Sequence, residues 1–409
     1  MNHFRLNTLF DTLEEMEKSF QDIELEAEEV GIEHALGRYA AEDIAVRDDI
    51  PGFNRAAVDG YAVISGDTYG TGDGVRPVFS QMGQSDVGKE CTISLGPNEC
   101  VYISAGAMMP PNADAVVTLD DSEVIGPLEI VINRTVNRGE SVIHKGDDFK
   151  KGAILLSKGN RIGTREIGAL AGAGHSHIKV LKRLHASVVS TGDEIIEPFN
   201  TILSPGQVRD INSYTISANL KTLGVVPANK GIVKDNSRGM EEVLEKSLNS
   251  SDIIIITGGS SEGTMDKTLS VIKRIEGVEI IINKIGMSPG ADSIVARVGN
   301  RVIFCLPGNP ISALITFNIM VKPMIMCFNK SAGRYLSIRA KCTRSYKSAP
   351  GREEYLIINI DRNEDIYTAT PMIGKEGFIT SMLSADGYVK IRASDDGIKE
   401  GQEVEVILF

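Results

Sequence analysis

The fold is decided by the stretch D-I-I-I-I-T-G-G-S-S-E-G-T-M-D, residues 252–266. Its four isoleucines, Ile253–Ile256, form a short continuous apolar run, which is typical of a strand buried on both faces of a parallel sheet. The small residues Thr257–Ser261 allow a tight turn, and apolar side chains then recur at helical spacing over 267–275. The stretch therefore predicts a strand, a glycine turn and a helix.

A strand–turn–helix unit of this kind presents backbone N–H groups to an anion in many α/β domains. Asp266 stands where a metal or hydroxyl partner of such an anion would be held. A tight turn without any ligand explains the same residues, because a glycine pair is a weak motif. Both interpretations stay open from this stretch alone.

Composition bounds the class of protein. A chain of 409 residues is too long for one hydrophobic core and predicts about two to four domains. The net charge of −12 argues against nucleic acid or an anionic membrane as the main partner. We also expect no membrane-spanning run and no signal peptide. The five cysteines lack Cys-x-x-Cys spacing, which predicts reduced thiols in a cytoplasmic protein.

The strand and helix patterns change twice along the chain. Between residues 47 and 149, short strand patterns are separated by turn residues, which predicts a mostly β domain. From about residue 183, strands and helices alternate, as in a parallel sheet flanked by helices. Beyond about residue 335 the pattern is all-β again and predicts a small barrel or sandwich.

Acidic residues at predicted turn positions are the candidate ligands of a site: Asp59, Asp148, Asp193, Glu194, Asp210 and Asp266. In open α/β sheets, ligands bind at the carboxyl ends of the strands. Hard carboxylate oxygens favour Mg²⁺, which proteins usually bind through one or two carboxylates together with substrate phosphate. Each carboxylate could instead cap a helix or form an Asx turn.

Two further patterns are ambiguous. The run Leu306–Pro310 has two prolines around Gly308 and Asn309, which makes either a stiff ligand-holding loop or a plain helix start. His175 and His177 would share one face of a strand, as a transition-metal pair or as a solvent-exposed pair. From the residues alone, we expect an α/β domain that binds a phosphate-bearing small molecule with Mg²⁺, and two β-rich accessory domains.

Several motifs follow one another along the chain: Ile50–Phe53 with Val58–Ala62, Gly146–Asp148, Ser190–Glu194, Gly206–Gln207 with Asp210 and Asn212, Thr257–Gly259 with Gly263 and Asp266, and Leu306–Pro310. In order and spacing they resemble the signature of the MoeA family, the molybdopterin molybdenumtransferases, which includes the E domain of gephyrin. The resemblance covers essentially the whole chain.

The resemblance implies a MoeA-like multidomain fold of α/β and β domains. A molybdopterin-binding α/β domain, with a parallel-type sheet and flanking helices, is expected over residues 1–23 and 183–330. The other expected parts are a small linking domain over 24–46 and 150–182, a β-rich second domain over 47–149, and a C-terminal β-barrel domain over 331–409.

The resemblance also implies an enzyme of molybdenum cofactor biosynthesis. It would insert molybdenum from molybdate, its co-substrate, into adenylated molybdopterin, with Mg²⁺ as cofactor and with release of AMP. The family's members are elongated homodimers in which the β-rich domain of one subunit faces the α/β site of the other. Other molybdenum-cofactor enzymes are further candidate partners.

Site roles follow by motif from the same resemblance. The expected catalytic residues, of which the first two would approach across the dimer, are Asp59, Asp148, Glu194 and Asp266. The expected metal ligands are Asp193, Glu194, Asp210 and Asp266. The expected phosphate and substrate contacts are Gly258, Gly259, Ser260, Ser261, Pro307, Gly308, Asn309 and Pro310.

The chain departs from the family where Lys-Pro-Gly-Lys-Pro is usual, because it has Ser288–Asp292 there. Two cations that would face an anionic substrate are replaced, and each such contact is worth roughly 1.5–3 kcal/mol. Lys267 and Lys284 are candidate substitutes. Smaller departures are Ala105, Ser261–Gly263 and Lys375–Gly377.

Two hypotheses therefore stand. The first is an active molybdopterin molybdenumtransferase. The second is a divergent paralogue that binds a pterin, another phosphorylated ligand or a protein partner without efficient turnover.

Overall fold

The computed structural model describes most of the chain in atomic detail. The described residues are 9–71, 75–234, 237–258, 262–331, 335–363, 366–374 and 379–409. The statements below concern these residues.

Eight α-helices lie in the described ranges: α1 (Leu9–Phe20), α2 (Thr164–Gly172), α3 (Asn212–Thr222), α4 (Ser237–Leu248), α5 (Glu262–Ile272), α6 (Pro310–Thr316), α7 (Lys322–Phe328) and α8 (Ile379–Ser384). A π-helical turn, Phe317–Val321, joins α6 to α7. Short 3₁₀ turns are Ile32–His34, Ser65–Thr68 and Leu119–Asp121.

The strands follow in chain order. The first eleven are β1 (Ala27–Gly31), β2 (Ile44–Ala45), β3 (Arg55–Ala56), β4 (Gly60–Val63), β5 (Val78–Ser85), β6 (Glu99–Ile103), β7 (Ala115–Thr118), β8 (Ser122–Gly126), β9 (Glu129–Ile132), β10 (Val142–Ile143) and β11 (Ile154–Leu156). The next ten are β12 (His177–Leu181), β13 (His185–Thr191), β14 (Ile195–Ile196), β15 (Val208–Arg209), β16 (Val226–Val233), β17 (Ile253–Gly258), β18 (Val278–Asn283), β19 (Met287–Ser288), β20 (Ile294–Val298) and β21 (Arg301–Leu306). The last seven are β22 (Ser337–Cys342), β23 (Tyr346–Lys347), β24 (Glu353–Asn363), β25 (Ile366–Pro371), β26 (Gly387–Ile391), β27 (Gly397–Ile398) and β28 (Glu403–Leu408).

The chain divides into two compact units. The first comprises residues 1–42, 158–164 and 177–409, and the second comprises 43–157 and 165–176. Residues of the predicted linking domain contribute to both units.

The first unit is built on a six-stranded sheet in the order β16-β13-β17-β21-β20-β18. The strands β16, β13, β17 and β21 are mutually parallel, as the sequence predicts. The strands β20 and β18 run antiparallel to their neighbours, so the sheet is mixed. The sequence prediction missed β20 because β20 adjoins β21 through a short turn and makes a hairpin with it instead of a βα crossover.

The isoleucine run lies on the central strand of this sheet and serves two cores. Ile253 and Ile255 pack into the core that contains α1, α3 and α6, and Ile254 and Ile256 pack into the core beneath α4 and α5. All four side chains are buried, because successive residues of a strand point to opposite faces. The prediction of a strand buried on both faces is therefore confirmed. The following helix, α5, starts five residues before the predicted start at residue 267.

The helical segment Pro310–Phe328 has the length and composition of a membrane span, contrary to the sequence expectation. Two-thirds of it (67%) is buried inside the first unit, with Phe317, Met320 and Ile325 in the core. A core helix of a folded domain meets the same criteria, because burial in protein and burial in lipid select the same apolar residues.

The C-terminal part of the first unit is a closed five-stranded barrel. The strands follow the order β24-β25-β22-β28-β26, and β26 pairs back onto β24. Its interior contains Ile358, Ala369 and Val406. The predicted C-terminal barrel is confirmed.

The second unit contains a six-stranded sheet in the order β7-β4-β6-β5-β9-β8. Its core contains Phe79, Cys100 and Ile132. Two short ribbons, β3 with β10 and β2 with β11, extend the unit beyond the sheet. The prediction of a mostly β domain over residues 47–149 is confirmed in its secondary structure.

Candidate functional site

The ends of three parallel strands align at the carboxyl edge of the first unit's sheet. Thr191 at the end of β13 is paired with Gly258 at the end of β17, and Thr257 is paired with Leu306 at the end of β21. The loops that follow these strands therefore emerge side by side, where α/β sheets bind ligands.

Gly258 is required by the close approach of β17 to β13. It has a φ of +123°, and a Cβ atom at this position would lie 2.0 Å from the carbonyl oxygen of Thr191. Only glycine tolerates both the dihedral angle and the contact. Three residues of the predicted phosphate-binding turn, Gly259, Ser260 and Ser261, lie outside the described residues.

Asp210 is a buried carboxylate that joins the first turn of α3 to β13. Its Oδ2 accepts hydrogen bonds from the hydroxyl groups of Ser190 (2.8 Å) and Ser213 (2.5 Å), and its Oδ1 accepts one from the backbone N–H of Ser213 (3.1 Å). The side chain thus caps the start of α3, the alternative that sequence reasoning left open. Its predicted role as a metal ligand stays a prediction.

Asn212 connects all three aligned loops. Its Nδ2 donates to the Thr257 hydroxyl (2.8 Å) and to the Gly308 carbonyl (2.9 Å), and the Thr257 hydroxyl donates to the Pro307 carbonyl (3.1 Å). The carbonyl acceptor fixes the orientation of the amide, because Gly308 O can only accept. The Oδ1 of Asn212 and the hydroxyl of Thr191 are buried without a partner among the described residues.

The segment Pro307–Pro310 forms the start of α6. Asn309 is the N-cap, and its Oδ1 accepts hydrogen bonds from the N–H groups of Ile311 (3.1 Å) and Ser312 (3.3 Å), while Pro310 occupies the first helical turn. Capping of α6 therefore uses the Oδ1 atom of Asn309. The helix start, one of the two alternatives that the sequence left open, is confirmed, whereas contact with a substrate stays a prediction.

Asp193, Glu194 and Asp266 are exposed at this edge or on the helix that follows β17. Across the described residues, His, Cys, Asp and Glu side chains form no group of three that could hold a metal ion. The exposed oxygens still suit Mg²⁺ chemically, because Mg²⁺ needs only one or two carboxylates when water and phosphate supply the rest. Mg²⁺ therefore fits the donor set as a partly protein-bound ion.

The loop that carries Ser288 and Asp292 lies at the same edge, beyond β21. The residue after it, Ile294, is paired with Cys305 near the end of β21. Ser288 is half-buried and Asp292 is exposed. The two replaced lysine positions therefore flank the β20–β21 end of the edge.

A cavity of about 570 Å³ lies at the opposite, amino edge of the sheet. It is lined by residues that precede β13 and β17, such as Arg183 and Asp252, and by Lys182, which is paired with Glu26 at 2.6 Å. This cavity is not the candidate site, because the motif residues lie at the other end of the strands.

Asp59 and Asp148 both lie in the second unit and are exposed there. The Oδ1 of Asp59 accepts a hydrogen bond from the backbone N–H of Ala105 (2.8 Å), and the N–H of Asp148 donates to the Ile50 carbonyl (3.0 Å). Pairing of β3 with β10 brings the two motif-bearing segments side by side. Their approach to another subunit stays a prediction.

Neither alternative for the histidine pair is correct. His175 is buried after α2, and its Nε2 lies 2.9 Å from the Ala45 carbonyl oxygen, whereas His177 begins β12. The two residues do not share a strand, because β12 begins at His177 and His175 lies in the connection between α2 and β12. As for the thiols, all five cysteines are free, and burial raises the pKa of Cys100 and Cys305 to about 12. A raised pKa disfavours the thiolate form at neutral pH, and the free cysteines agree with the predicted reduced thiols.

Sequence reasoning missed two residues at the carboxyl edge. Lys234, after β16, donates through Nζ to the carbonyl oxygen of Asp193 (2.8 Å). Ser190 was predicted only as part of a motif, yet its hydroxyl donates a hydrogen bond to the buried carboxylate of Asp210. A polar residue directly after a strand was the available signal for Lys234.

Three family models together match most of the chain. They are described as the MoeA N-terminal region (domains I and II), over residues 8–174, a probable molybdopterin binding domain, over 187–326, and the MoeA C-terminal region (domain IV), over 339–409. The chain therefore belongs to the MoeA family.

Individual relatives and structures agree with this membership. The molybdopterin molybdenumtransferase of Staphylococcus epidermidis is 28% identical over 390 residues, which cover 95% of this chain and 92% of the relative. The Bacillus subtilis protein of the same name is 27% identical over 390 residues, covering 94% and 90%. A molybdopterin biosynthesis MoeA structure from Pyrococcus horikoshii matches with a TM-score of 0.86 at 25% identity, covering 99% of this chain and 100% of that chain. A second MoeA structure from that source matches with a TM-score of 0.80 at 35% identity, covering 98% of this chain and 99% of that chain.

Proposed function

We propose that this protein acts in molybdenum cofactor biosynthesis and inserts molybdenum from molybdate into adenylated molybdopterin, with Mg²⁺ and with release of AMP. Family membership along the whole chain supports the general function. The observation that carries the specific reaction is the alignment of three strand ends, Thr191, Gly258 and Leu306, with exposed carboxylates beside them.

Each part of the edge has a distinct task in this proposal. Gly258 lets the end of β17 lie directly against Thr191 of β13, because no Cβ intervenes, and so sets where the phosphate-binding loop starts. Asn212 and Asp210 hold the loops in place, since the Nδ2 of Asn212 and the carboxylate of Asp210 form hydrogen bonds between strands and helices. The loop Pro307–Pro310 forms a rigid wall of the site.

Asp193, Glu194 and Asp266 are the residues that would hold Mg²⁺. When bound, the ion supplies positive charge that stabilises the phosphoanhydride as AMP leaves. Mg²⁺ would also offset the repulsion between these carboxylates and an anionic ligand. The roles of Asp59 and Asp148 across a homodimer are part of the same proposal.

The test is release of AMP by the purified full-length protein. We expect adenylated molybdopterin to yield AMP only when both molybdate and Mg²⁺ are present. Glu194→Gln should lower the rate by about 10²-fold or more if the carboxylate acts on the reaction. Glu245→Gln, an equivalent change on the exposed face of α4, should leave the rate unchanged.

A second function is favoured by one observation, the presence of Ser288 and Asp292 at the edge instead of two lysines. The protein would then bind the adenylated pterin or a related ligand without efficient turnover. Measurable binding with no molybdate-dependent AMP release would support this function and reject the first.

A further inference from the structure

Lys234 occupies a defined place at the carboxyl edge. It follows the last residue of β16, Val233, whose carbonyl accepts a hydrogen bond from Gly192 at 3.2 Å. Its Nζ donates to the carbonyl oxygen of Asp193 at 2.8 Å. The ammonium group is therefore held against the loop that follows β13.

The ammonium group retains donors for a ligand. A lysine ammonium has three N–H donors, and one is used on Asp193. The carboxylate of Glu194 folds over Gly192, where its Oε2 would lie 2.6 Å from a Cβ atom, yet within the described residues no carboxylate forms an ion pair with Lys234. Two donors thus remain on an exposed cation beside two acidic residues.

Another cation of this region is already committed. The guanidinium of Arg209 donates to the carbonyl oxygens of Asn200 and Thr201, at 2.9–3.2 Å, and thereby closes the loop between β14 and β15. Its Nε and Nη2 donors are used in these bonds, which hold the guanidinium against this loop. Among the described residues, Lys234 makes one side-chain hydrogen bond, to Asp193.

The position of Lys234 contrasts with that of the replaced lysines. Lys234 follows β16, whereas the loop with Ser288 and Asp292 precedes β20, four strands away in the sheet order. At about 4.8 Å per strand, the separation is roughly 19 Å. Exposed Lys234 therefore lies at the β13–β16 end of the edge, beside Asp193 and Glu194. Exposed Lys284, which follows β18, and Asp292 lie at the other end.

We propose that Lys234 anchors a phosphate group of the ligand over the β13–β16 end of the edge, beside Asp193 and Glu194, and so determines where an anionic substrate is held in this chain. The inference rests on the proposed function for the identity of the ligand. Because Lys234 is tethered to Asp193, phosphate binding there would also fix the loop that carries the candidate Mg²⁺ ligands.

The experiment measures binding of AMP in the presence of MgCl₂ to the full-length protein by titration calorimetry. Lys234→Met removes the charge at nearly constant length and should weaken binding roughly 10- to 100-fold. Lys234→Arg should restore most of the affinity. Lys246→Met, the same change on the exposed surface of α4, is the matched control and should bind like the wild type. The thermal midpoint of each variant should equal that of the wild type, because both lysines are exposed.

The outcomes separate this inference from the proposed function. Equal AMP affinity of the wild type and Lys234→Met, or no AMP binding by the wild type, would overturn the inference. Loss of affinity in Lys234→Met without any molybdate-dependent AMP release by the wild type would support the anchor and reject the reaction. Added KCl should weaken AMP binding by the wild type more than AMP binding by Lys234→Met, because salt screens the exposed charge of Lys234.

Discussion

The Nδ2 atom of Asn212 lies 2.8 Å from the hydroxyl oxygen of Thr257, and this bond ties the first turn of α3 to the end of the central strand. The same nitrogen reaches the Gly308 carbonyl, so one side chain sets the spacing of three loops at the carboxyl edge. The geometry of the candidate site therefore depends on a residue that is itself almost fully buried.

Replacing Asn212 with alanine should lower the free energy of unfolding by about 2 kcal/mol, because buried acceptors lose their donor. Urea unfolding followed by tyrosine fluorescence measures this, since the chain has no tryptophan. The control is Asn219→Ala, which removes one hydrogen bond to the Thr215 carbonyl within the same helix. This variant should lower the free energy of unfolding by less. Equal costs for the two variants would contradict the proposed role of Asn212 as a clamp.

Gly258→Ala should destabilise the first unit by about 3 kcal/mol, because the new Cβ would clash with Thr191 and would sit at an unfavourable φ. Gly231→Ala is a matched control in the same sheet. Gly231 also has a positive φ, +86°, but no atom lies within 4 Å of its Cβ position. That variant should lose only about 1 kcal/mol from backbone strain. Thermal unfolding of both variants separates the clash from the strain.

Asp292→Lys should change the affinity for AMP with MgCl₂ less than about twofold, because the phosphate is held at Lys234, roughly 19 Å away and beyond the Debye length at physiological salt. A tenfold gain in affinity would instead place the phosphate near Asp292. Asp292 is exposed, so the fold should tolerate the change. Asp396→Lys makes the same charge change on the surface of the barrel and should leave affinity unaltered. Unchanged binding by Asp292→Lys would show that the replaced lysine positions do not face the phosphate.

Acid should destabilise the second unit, because it protonates the two carboxylates that contact Arg134. Its guanidinium donates to Asp121 (2.6 Å) and Glu140 (2.6 Å). The bond from Arg134 lowers the pKa of Asp121, and the N–H of Asn137, followed by Arg134, lowers the pKa of Glu140. Because both folded-state pKa values lie below the unfolded ones, the stabilisation is present above about pH 4–5 and is lost as the pH falls through the folded-state values.

Arg134→Met should therefore lower the free energy of unfolding by about 1 kcal/mol at pH 7 and by less near pH 3. Urea unfolding at the two pH values measures the difference. Arg138→Met is the control, since the ion pair that Arg138 makes with Asp114 is long at 3.7 Å and the Arg138 side chain is highly exposed. A cost for Arg134→Met that does not shrink in acid would mean that packing, not charge, explains the effect.

The sequence by itself determined the central strand, the mostly β segments and the expected edge of the site. Four isoleucines in a row can only be buried on both sides, so they define a central strand, and glycine with small polar residues after such strands marks the loops. The motif order also indicated the family. These features are local, because they depend on neighbours within a few positions along the chain.

Only the tertiary structure decided which of the polar residues hold the fold and which remain exposed for chemistry. Asp210 and Asp193 look alike in sequence, but Asp210 is buried under Ser190 and Ser213, whereas Asp193 is exposed. Lys234 became a candidate only when the parallel pairing of β16 with β13 placed it against Asp193. Burial and contacts between distant segments arise from the packing of strands, and no local pattern encodes them.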